Sequence, residues 1–435
     1  MTDAPPAASV EKFRDWRFGL FVHWGLYSLP ARHEWVKNRE RLTDEDYQPY
    51  FDHFEPDLYD PTKWARAARE AGMKYAVLTT KHHEGFCLWD SEVSDYTVAH
   101  TAWGAGKDLV RQFVDACRAE GLGVGFYHSL IDWHHPEFPI DVVHPQRYDE
   151  EAQAKAAGRD VQVYADYLHA QTRELLTNYG PIDIMWFDFS YPNRNREDGL
   201  PGPGNGKGRD EWRSVELMAM VRELQPDILI NDRLDIPGDF VTPEQYQPDG
   251  PMQRDGVPVL WEACQTLNGS WGYDRDNLDW KSPETLVKML VDSVSKDGNL
   301  LLNVGPTGRG EFDPRALATL SSIGEWMRLH ERSIRGARPA EGHVAPVDCR
   351  FTQKGDRLYL HLFSWPMGHI HLQGLAGKVK YAQLLNDASE IKRIVNNPHQ
   401  QAQNTTMGGV ASDTLTLKLP IQKPNVLVPV IELFL

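Results

Sequence analysis

The stretch Ile182-Asp183-Ile184-Met185-Trp186-Phe187-Asp188 is mostly apolar and ends on a carboxylate. Gly180-Pro181 precedes it and the loop 189–193 follows it, so it predicts a buried strand that delivers Asp188 to a loop. Loops after such strands carry the chemistry of many α/β proteins. Taken alone, Asp188 is more simply explained as a loop cap. The functional interpretation gains weight because the same pattern recurs along the chain.

Apolar runs alternate with helical patterns from residue 18 to about 336. Helix starts are indicated by Asp60-Pro61, Ser282-Pro283 and Asp313-Pro314, and one long helix is predicted at 149–178. Continuous apolar strands are typical of a parallel sheet covered on both faces. Because no GxGxxG follows a strand, a (β/α)8 barrel over residues 1–337 is favoured over a dinucleotide-binding open sheet. Seven strands are recognisable and one is missing or irregular; the seven are 18–25, 75–80, 123–128, 182–188, 227–233, 258–262 and 299–306.

The pattern changes after about residue 338. Short alternating strands are predicted at 357–363, 369–372, 414–419 and 426–431, which is typical of an antiparallel β-sandwich. Residues 338–435 are therefore predicted to form a second, C-terminal β-sandwich domain. Two further segments, 199–208 and 396–413, are predicted to be loops. The first of them lacks the GK[ST] ending of a phosphate-binding loop.

The composition argues against several classes of partner. The 435-residue chain has a formal net charge of −16 and no dense basic cluster, so we expect it to bind neither nucleic acid nor membranes. No stretch is long and apolar enough to span a bilayer, and the N-terminus lacks the pattern of a secretory signal. Four cysteines without CxxC spacing indicate free buried thiols. We therefore expect a cytoplasmic protein, and the sequence indicates no particular oligomeric state.

Six predicted strands end in aromatic, imidazole or carboxylate side chains. In a barrel, these ends converge on one rim. Folding alone does not require this chemistry at a rim, so the coincidence predicts one polar pocket lined by aromatic rings. The strand ends are His23-Trp24, His82-His83-Glu84, Tyr127-His128, Asp188, Asp232-Arg233 and Trp261-Glu262.

Histidines near a carboxylate raise the possibility of a zinc or iron site. His82 and His83, however, are adjacent in sequence at a strand end, where neighbouring side chains point in different directions. Neither HxH nor HExxH spacing occurs at the strand ends. We therefore predict no metal and no other cofactor.

A sugar fits the predicted pocket better. Histidine, tyrosine and tryptophan supply neutral donors and acceptors for hydroxyl groups, and aromatic rings stack on the apolar faces of a sugar. Tryptophans in or beside the strand-end loops are Trp24, Trp35, Trp133, Trp186, Trp261 and Trp271. Glycoside cleavage requires two carboxyl groups that flank the bond. Asp188 is one candidate, and the residues alone leave the other open among Glu34, Glu84, Glu244 and Glu262.

Several motifs together resemble the α-L-fucosidases of glycoside hydrolase family 29. The similarity runs from about Arg17 to about Ala337, and the C-terminal β-domain matches in position and size. The motifs are Arg17-Phe-Gly-Leu-Phe-Val-His-Trp-Gly25, Glu34-Trp35, Lys81-His-His-Glu-Gly-Phe86, Trp186-Phe187-Asp188, Asn231-Asp232-Arg233, Ser270-Trp-Gly-Tyr273 and Asn299-Leu-Leu-Leu-Asn-Val-Gly-Pro306. The resemblance implies a retaining exo-glycosidase that releases terminal fucose from oligosaccharides or glycoconjugates.

The resemblance also implies roles for individual residues. Asp188 matches the nucleophile, and Glu244 is chosen as acid/base with Glu262 as the runner-up. As acid/base, Glu244 needs a pKa that is raised by apolar surroundings and by the neighbouring negative charge. Positions that hold fucose are matched by His23, Glu34, Trp35, His82, His83, Tyr127, Trp186 and Arg233, and Trp271 matches an aromatic residue near the sugar's methyl group. Glu84, Asp232 and Glu262 have an alternative role, which is to hold neighbouring site residues.

Two other functions remain compatible with these residues. One is a carbohydrate-binding protein that has lost catalysis, although the presence of Asp188 and a candidate acid favours turnover. The other is a retaining glycosidase of different specificity, for example a galactosidase. The hydroxymethyl group of galactose needs room and a polar partner where fucose carries a methyl group, so the surroundings of Trp271 distinguish the two sugars.

Overall fold

The computed structural model describes residues 4–192, 206–395 and 410–435. Eight strands form a parallel sheet in the order β5-β4-β3-β2-β1-β10-β9-β6, and a parallel bridge between Asn231 and Phe240 joins its two edges. The barrel is thereby closed, and the predicted fold is confirmed. Its strands, with the hairpin β7–β8 inserted between them, are β1 (Phe18–Val22), β2 (Tyr75–Lys81), β3 (Gly123–Ser129), β4 (Ile184–Asp188), β5 (Leu229–Ile230), β6 (Phe240–Val241), β7 (Gln253–Arg254), β8 (Val257–Pro258), β9 (Leu260–Thr266) and β10 (Asn299–Val304).

Helices surround the barrel and also fill the long connections after its first strands. They are α1 (Ala7–Trp16), α2 (Val36–Arg39), α3 (Asp44–Asp52), α4 (Pro61–Glu70), α5 (Leu109–Ala119), α6 (Glu150–Ala156), α7 (Val161–Asn178), α8 (Ser214–Leu224), α9 (Pro283–Ser295) and α10 (Pro314–His330). Short 3₁₀ helices lie at Leu26–Ser28, Val98–His100 and Glu331–Ser333. The predicted caps hold, because Asp60, Ser282 and Asp313 each accept a hydrogen bond from a backbone amide of the helix that follows. Within the described residues, no helix is long and apolar enough to cross a membrane.

Three sequence predictions about the barrel need correction. The strand that escaped recognition is β6, because two residues are too few to show a period. The strand predicted at 258–262 begins at Leu260 and continues to Thr266, so Trp261 and Glu262 lie near its start rather than at the rim. The single helix predicted at 149–178 is two helices, since α6 ends at Ala156 and Asp160 caps the start of α7.

Helix α1 closes the amino-terminal end of the barrel. The ring of Phe13 lies 5.6 Å from that of Tyr75 and 5.1 Å from that of Phe240. Asn299 Nδ2 donates a hydrogen bond to the Phe13 carbonyl at 2.8 Å. The barrel interior is thus a packed core below its carboxyl-terminal rim, which leaves the rim as the place for a site.

Antiparallel strands follow the barrel and form two sheets, in the orders β11-β12-β13-β18-β15 and β14-β17-β16. The predicted β-sandwich is confirmed, although β11, β12, β15 and β16 were not recognised in the sequence. The last strand begins at Val430 rather than 426, directly after Pro429, which has no amide to donate. The strands are β11 (Arg338–Pro339), β12 (Cys349–Lys354), β13 (Arg357–Leu362), β14 (His369–Leu372), β15 (Tyr381–Leu384), β16 (Lys392–Val395), β17 (Leu415–Lys418) and β18 (Val430–Phe434). Most of the loops predicted at 199–208 and 396–413 lies outside the described residues.

Candidate active site

A cavity of ≈ 140 Å³ opens at the carboxyl-terminal rim of the barrel. It is smaller than the roughly 300–1,000 Å³ typical of pockets for drug-sized ligands, and so suits one small ring. All the predicted site residues line it except Glu34 and the runner-up Glu262. Its lining consists of Phe21, His23, Trp35, His82, His83, Tyr127, Trp186, Asp188, Phe189, Arg233, Glu244 and Trp271.

Asp188 is the last residue of β4 and projects into this cavity. Its Oδ1 accepts a hydrogen bond from Arg233 Nη1 at 2.9 Å, and its Oδ2 accepts one from the Tyr127 hydroxyl at 2.8 Å. Both donors come from neighbouring strand ends, so the barrel itself sets the direction of the carboxylate. Two hydrogen bonds, one of them charged, stabilise the ionised form.

Glu244 follows β6, the strand that the sequence did not reveal. Its backbone is pinned to β9, because Cys264 donates to the Pro243 carbonyl and accepts from the Gln245 amide, both at 3.0 Å. Its Oε2 lies 2.8 Å from Arg233 Nη1, the same nitrogen that holds Asp188. The two carboxylate oxygens are therefore at most about 5.7 Å apart, the sum of the two distances.

The surroundings of Glu244 differ from the prediction. Apolar surroundings were expected in addition to the neighbouring negative charge, but the side chain is 40% exposed and forms an ion pair with Arg233. An ion pair is a contact of the ionised carboxylate. The contact with Arg233 is therefore one that favours a carboxylate able to act as a base.

Arg233, which lies in the loop after β5, is the central cation of the site. Its Nε donates to Thr242 Oγ1 at 2.9 Å, and its guanidinium carbon lies 4.6 Å from the centre of the Trp186 ring. Burial tends to lower the pKa of Arg233, but Asp188 and Glu244 outweigh this effect and raise it above its ordinary value. The guanidinium is thus fixed on three sides and stays charged.

Two histidines of the cavity present neutral rings. Burial lowers the pKa of His23 to about 3 and that of His83 well below its ordinary value. His23 Nδ1 lies 2.6 Å from Asn303 Oδ1, and His83 Nδ1 lies 2.7 Å from Ser129 Oγ, whose own proton goes to the Ile131 carbonyl. Each Nδ1 is therefore the donor, which leaves each Nε2 as an acceptor for a hydroxyl proton.

The geometry is that of a small sugar site with two carboxyl groups, and the comparison with protein families agrees. A family model described as alpha-L-fucosidase matches residues 3–332. The chain belongs to the α-L-fucosidase family. Its C-terminal sandwich lies almost entirely beyond the matched range.

Individual relatives extend the similarity to the whole fold. The α-L-fucosidase isoenzyme 1 of Paenibacillus thiaminolyticus is 45% identical, with a TM-score of 0.88 over 98% of each chain. The tissue α-L-fucosidase of Bos taurus is 30% identical over 81% of this chain and 75% of its own. A family 29 α-L-fucosidase of Bacteroides thetaiotaomicron, trapped as a covalent intermediate with 2-fluoro-fucosyl fluoride, is 28% identical, with a TM-score of 0.81 over 99% and 97% of the chains. The predicted family, fold and retaining α-L-fucosidase reaction are confirmed.

Glu34, which the resemblance places among the residues that hold fucose, is not among the side chains that line the cavity of this α-L-fucosidase. Its Oε2 accepts the amides of Trp271 at 3.1 Å and of Gly272 at 2.8 Å, and His33 Nδ1 lies 3.0 Å from its Oε1. Burial alone raises the pKa of Glu34, but the hydrogen bond to His33 and the nearby charges lower it to about 2. In this structure, Glu34 therefore holds the loop that carries Trp271 against the cavity.

Glu262, the runner-up acid/base, is fully buried below the cavity and does not line it. It accepts hydrogen bonds from the Tyr75 hydroxyl and, at 3.2 Å, from Trp186 Nε1. Burial raises its pKa to about 7. Glu84 and Asp232 are also absent from the lining: Glu84 lies 3.4 Å from His82 Nδ1, and Asp232 accepts from Thr242 Oγ1 at 3.0 Å.

Two residues that line the cavity, Phe21 and Phe189, were not predicted from the sequence. Phe21 is an inward-facing residue of β1 and packs its ring 5.9 Å from that of Trp271, so its place in the strand was a usable signal. The backbone of Phe189 has a φ of 81°, which residues other than glycine rarely adopt. No sequence pattern predicts this conformation. Among the residues that the structure describes, no group of three or more His, Cys, Asp or Glu could hold a metal ion.

Proposed function

We propose that Asp188 is the nucleophile and Glu244 the acid/base of α-L-fucoside hydrolysis in this protein. The observation that supports both roles is the shared contact with Arg233 Nη1, which limits the separation of their nearest oxygens to about 5.7 Å. Retaining glycosidases have carboxyl groups about 5–5.5 Å apart, whereas inverting enzymes need about 6.5–9.5 Å to admit a water. The separation favours retention through a glycosyl-enzyme.

In the first step, an oxygen of Asp188 attacks the anomeric carbon and forms an ester bond. The bond to the aglycone breaks, and its oxygen takes the proton of Glu244. The Tyr127 and Arg233 hydrogen bonds hold the Asp188 carboxylate in place for this attack. As the ester forms, charge leaves Asp188, and Arg233 remains paired with the newly ionised Glu244.

In the second step, Glu244 takes a proton from water, the water oxygen attacks the anomeric carbon, and Asp188 leaves as the carboxylate. The contact with Arg233 seen here matches the ionised state that this step requires. For the first step, Glu244 must instead be protonated and turned towards the glycosidic oxygen. Its exposure of 40% gives the side chain room for that movement.

Fucose recognition follows from the neutral and apolar groups of the lining. The Nε2 atoms of His23 and His83 accept protons from sugar hydroxyls, as argued from their Nδ1 partners. Phe21 and Trp271 form an apolar wall that suits a methyl group at C5. A hydroxymethyl group placed against the carbon atoms of these rings loses water and gains no polar partner from them, which favours fucose over galactose.

Two substitutions test the assignment. Asp188→Asn is expected to lower kcat at least about 10⁴-fold with the fold retained, because the amide cannot form the ester. Glu244→Ala is expected to spare substrates with good leaving groups and to recover turnover with azide, which replaces the missing base. Near-normal activity of Asp188→Asn, or azide rescue of Glu262→Ala instead of Glu244→Ala, would overturn the respective role.

The sugar preference is tested with paired chromogenic substrates. An α-L-galactoside differs from the α-L-fucoside by one hydroxyl group on the C5 substituent. We expect its kcat/KM to be about 10²-fold lower, since burying an unpaired hydroxyl costs a few kcal/mol. Equal values for the two substrates would rule out the apolar wall as the specificity element.

We also propose that the protein works in a reducing, cytoplasmic compartment and binds neither nucleic acid nor membranes. All four cysteines are free and buried, and the net charge is −16. Fractionation of cells that produce the full-length protein tests the compartment. Recovery in a secreted or membrane fraction would contradict the proposal.

A further inference from the structure

A fully buried carboxyl, that of Glu262, lies behind the lining of the cavity. It lies on β9 inside the barrel, with an exposed fraction of 0%. Its two hydrogen bonds come from the Tyr75 hydroxyl on β2 and from the Trp186 indole on β4. An apolar side chain of similar size fills such a core position at lower cost, because a buried carboxyl loses its hydration. Packing alone therefore does not account for a carboxyl at this place.

The Trp186 ring lies between this carboxyl and the reacting atoms. On the side of the cavity, the Arg233 guanidinium carbon is 4.6 Å from the ring centre, and the Tyr127 ring is stacked at 5.7 Å with an interplanar angle of 22°. Arg233 and Tyr127 are the two donors to Asp188. A rotation or shift of the indole thus moves both hydrogen bonds of the nucleophile together.

We infer that Glu262 is a positioning residue of the reaction, which fixes the Trp186 ring through the indole hydrogen bond and thereby sets the direction of Asp188. The inference rests on the proposed role of Asp188. Glu262 itself does not touch the cavity, so it acts only through Trp186. Misplacing reacting groups by about 1 Å costs up to ~10²-fold in rate, so a hydrogen bond at this distance from the chemistry is consequential.

The hydrogen bond, rather than the charge, is the feature that matters. Burial raises the pKa of Glu262 to about 7, so the carboxyl is protonated in mildly acidic solution and still accepts the indole proton through its carbonyl oxygen. A glutamine has the same shape as that protonated form. Its Oε1 accepts from Trp186 while its Nε2 donates to the Tyr75 oxygen. A methionine of similar length offers the indole no comparable acceptor.

The kinetic test compares three variants. Glu262→Gln is expected to keep kcat within about threefold of the original enzyme, and Glu262→Met to lower kcat by about 10- to 100-fold with little change in KM. Tyr75→Phe is the matched control, since it removes the other hydrogen bond of the same carboxyl and leaves that of Trp186. An unchanged kcat in Glu262→Met, or an equal loss in Glu262→Gln, overturns the inference. If Asp188→Asn stays active, the proposed nucleophile fails instead.

A spectroscopic measurement keeps the inference testable if Glu262→Met does not fold. In ¹⁵N-labelled protein, the indole resonance of Trp186 is expected to shift as Glu262 ionises near pH 7 and to become insensitive in Glu262→Gln. The other titratable groups near this carboxyl are Tyr75 and Cys264, and burial raises the pKa of both. Arg233 and Asp188 lie beyond the ring. The inference is overturned if the chemical shift of the Trp186 indole changes neither with pH near 7 nor on substitution of Glu262.

Discussion

The rim of the barrel and the core of the C-terminal sandwich differ in the kinds of side chain that they enclose. The rim encloses histidines, carboxylates and Arg233, each held by a specific partner. The sandwich has a large cluster of buried apolar side chains, which includes Leu358, Leu360, Ile370, Leu417 and Leu433. The residues of that cluster are at most 6% exposed, whereas the Glu244 side chain at the rim is 40% exposed.

The difference indicates where the molecule obtains its stability. Aliphatic side chains gain about 1.5–3 kcal/mol each on full burial, whereas buried charged groups at best offset their desolvation. The rim therefore depends on the rest of the fold to hold its groups together. Substitutions at the rim should change the rate, and substitutions in the sandwich should change the stability.

After the loss of the proposed nucleophile, removal of the rim's central cation is expected to have the largest effect on the rate. Arg233→Met removes a hydrogen bond to Asp188 and the ion pair with Glu244, so two carboxylates repel each other without a cation between them. We expect kcat/KM to fall by about 10³-fold, comparable with the loss of a preorganised charged donor elsewhere. Steady-state kinetics on a chromogenic α-L-fucoside measures it.

Arg32 offers a matched control for this substitution. It pairs with Glu40 on the surface, where the two side chains are 47% and 41% exposed. Exposed pairs contribute about 0–1 kcal/mol, so Arg32→Met should leave both rate and stability nearly unchanged. A loss of only severalfold in Arg233→Met would mean that the rim does not depend on this guanidinium.

The sandwich provides the opposite case. Leu360 is fully buried in β13, so Leu360→Ala leaves a cavity and should cost about 2–5 kcal/mol of unfolding free energy. The kcat per folded molecule should not change, since no residue of the cavity lies in the sandwich. Urea denaturation combined with active-site titration separates the two quantities. Leu278 is 81% exposed, so Leu278→Ala should change neither the unfolding free energy nor kcat.

A buried histidine beside the barrel–sandwich boundary provides an intermediate case. His361 in β13 lies 3.0 Å from Thr352 Oγ1, which donates its own proton to the Ser333 carbonyl, so the His361 Nε2 carries the proton. Burial lowers the pKa of His361 to about 3. In the unfolded chain, this histidine takes up a proton below its ordinary pKa of about 6.5, whereas the folded state disfavours the protonated ring. The contribution of the neutral His361 to the free energy of unfolding is fully present above pH 6.5 and is lost as the pH falls towards 3.

The histidine contribution is measurable as a difference between pH values. At pH 5, the loss from His361 amounts to about 2 kcal/mol, since each unit below 6.5 costs about 1.4 kcal/mol. His361→Gln should lose about that much less than the original protein when the pH is lowered from 7 to 5. Other titrating groups affect both proteins alike and cancel. Equal losses in urea denaturation at the two pH values would contradict the prediction.

The same contrast explains how much the sequence could predict. Strand ends such as His82-His83 and Asp188 were correctly expected on one rim, because long apolar strands have a recognisable period and parallel strands share a carboxyl edge. β6 and the true limits of β9 were not predicted. Both errors concern pairing partners, which come from the closed barrel and not from local preference. Because β9 continues to Thr266, Glu262 lies near the start of the strand, opposite Asn299, and is in the core rather than at the rim.

Site details were less predictable than the fold. Glu34, which matches a position that holds fucose, binds two backbone amides of the Trp271 loop in this structure. That contact joins positions more than two hundred residues apart, so no local pattern encodes it. The ion pair of Glu244 with Arg233 is likewise a tertiary contact. A residue type can suggest a role, but only folding supplies its partner.

The smallest expected effect belongs to the cap of α9, the helix that packs against both β10 of the barrel and β12 of the sandwich. Ser282 Oγ accepts the amide of Thr285 at 3.1 Å, and Asp292 of the same helix pairs with Arg350 of β12 at 2.6 Å. Ser282→Ala should cost about 1 kcal/mol of unfolding free energy and leave kcat unchanged. Ser321→Ala, inside α10 and exposed, removes a hydroxyl that caps nothing and should be neutral. If the cap variant lowered kcat as well, the boundary helix would transmit strain to the rim, and the division between a rate-setting rim and a stabilising sandwich would not hold.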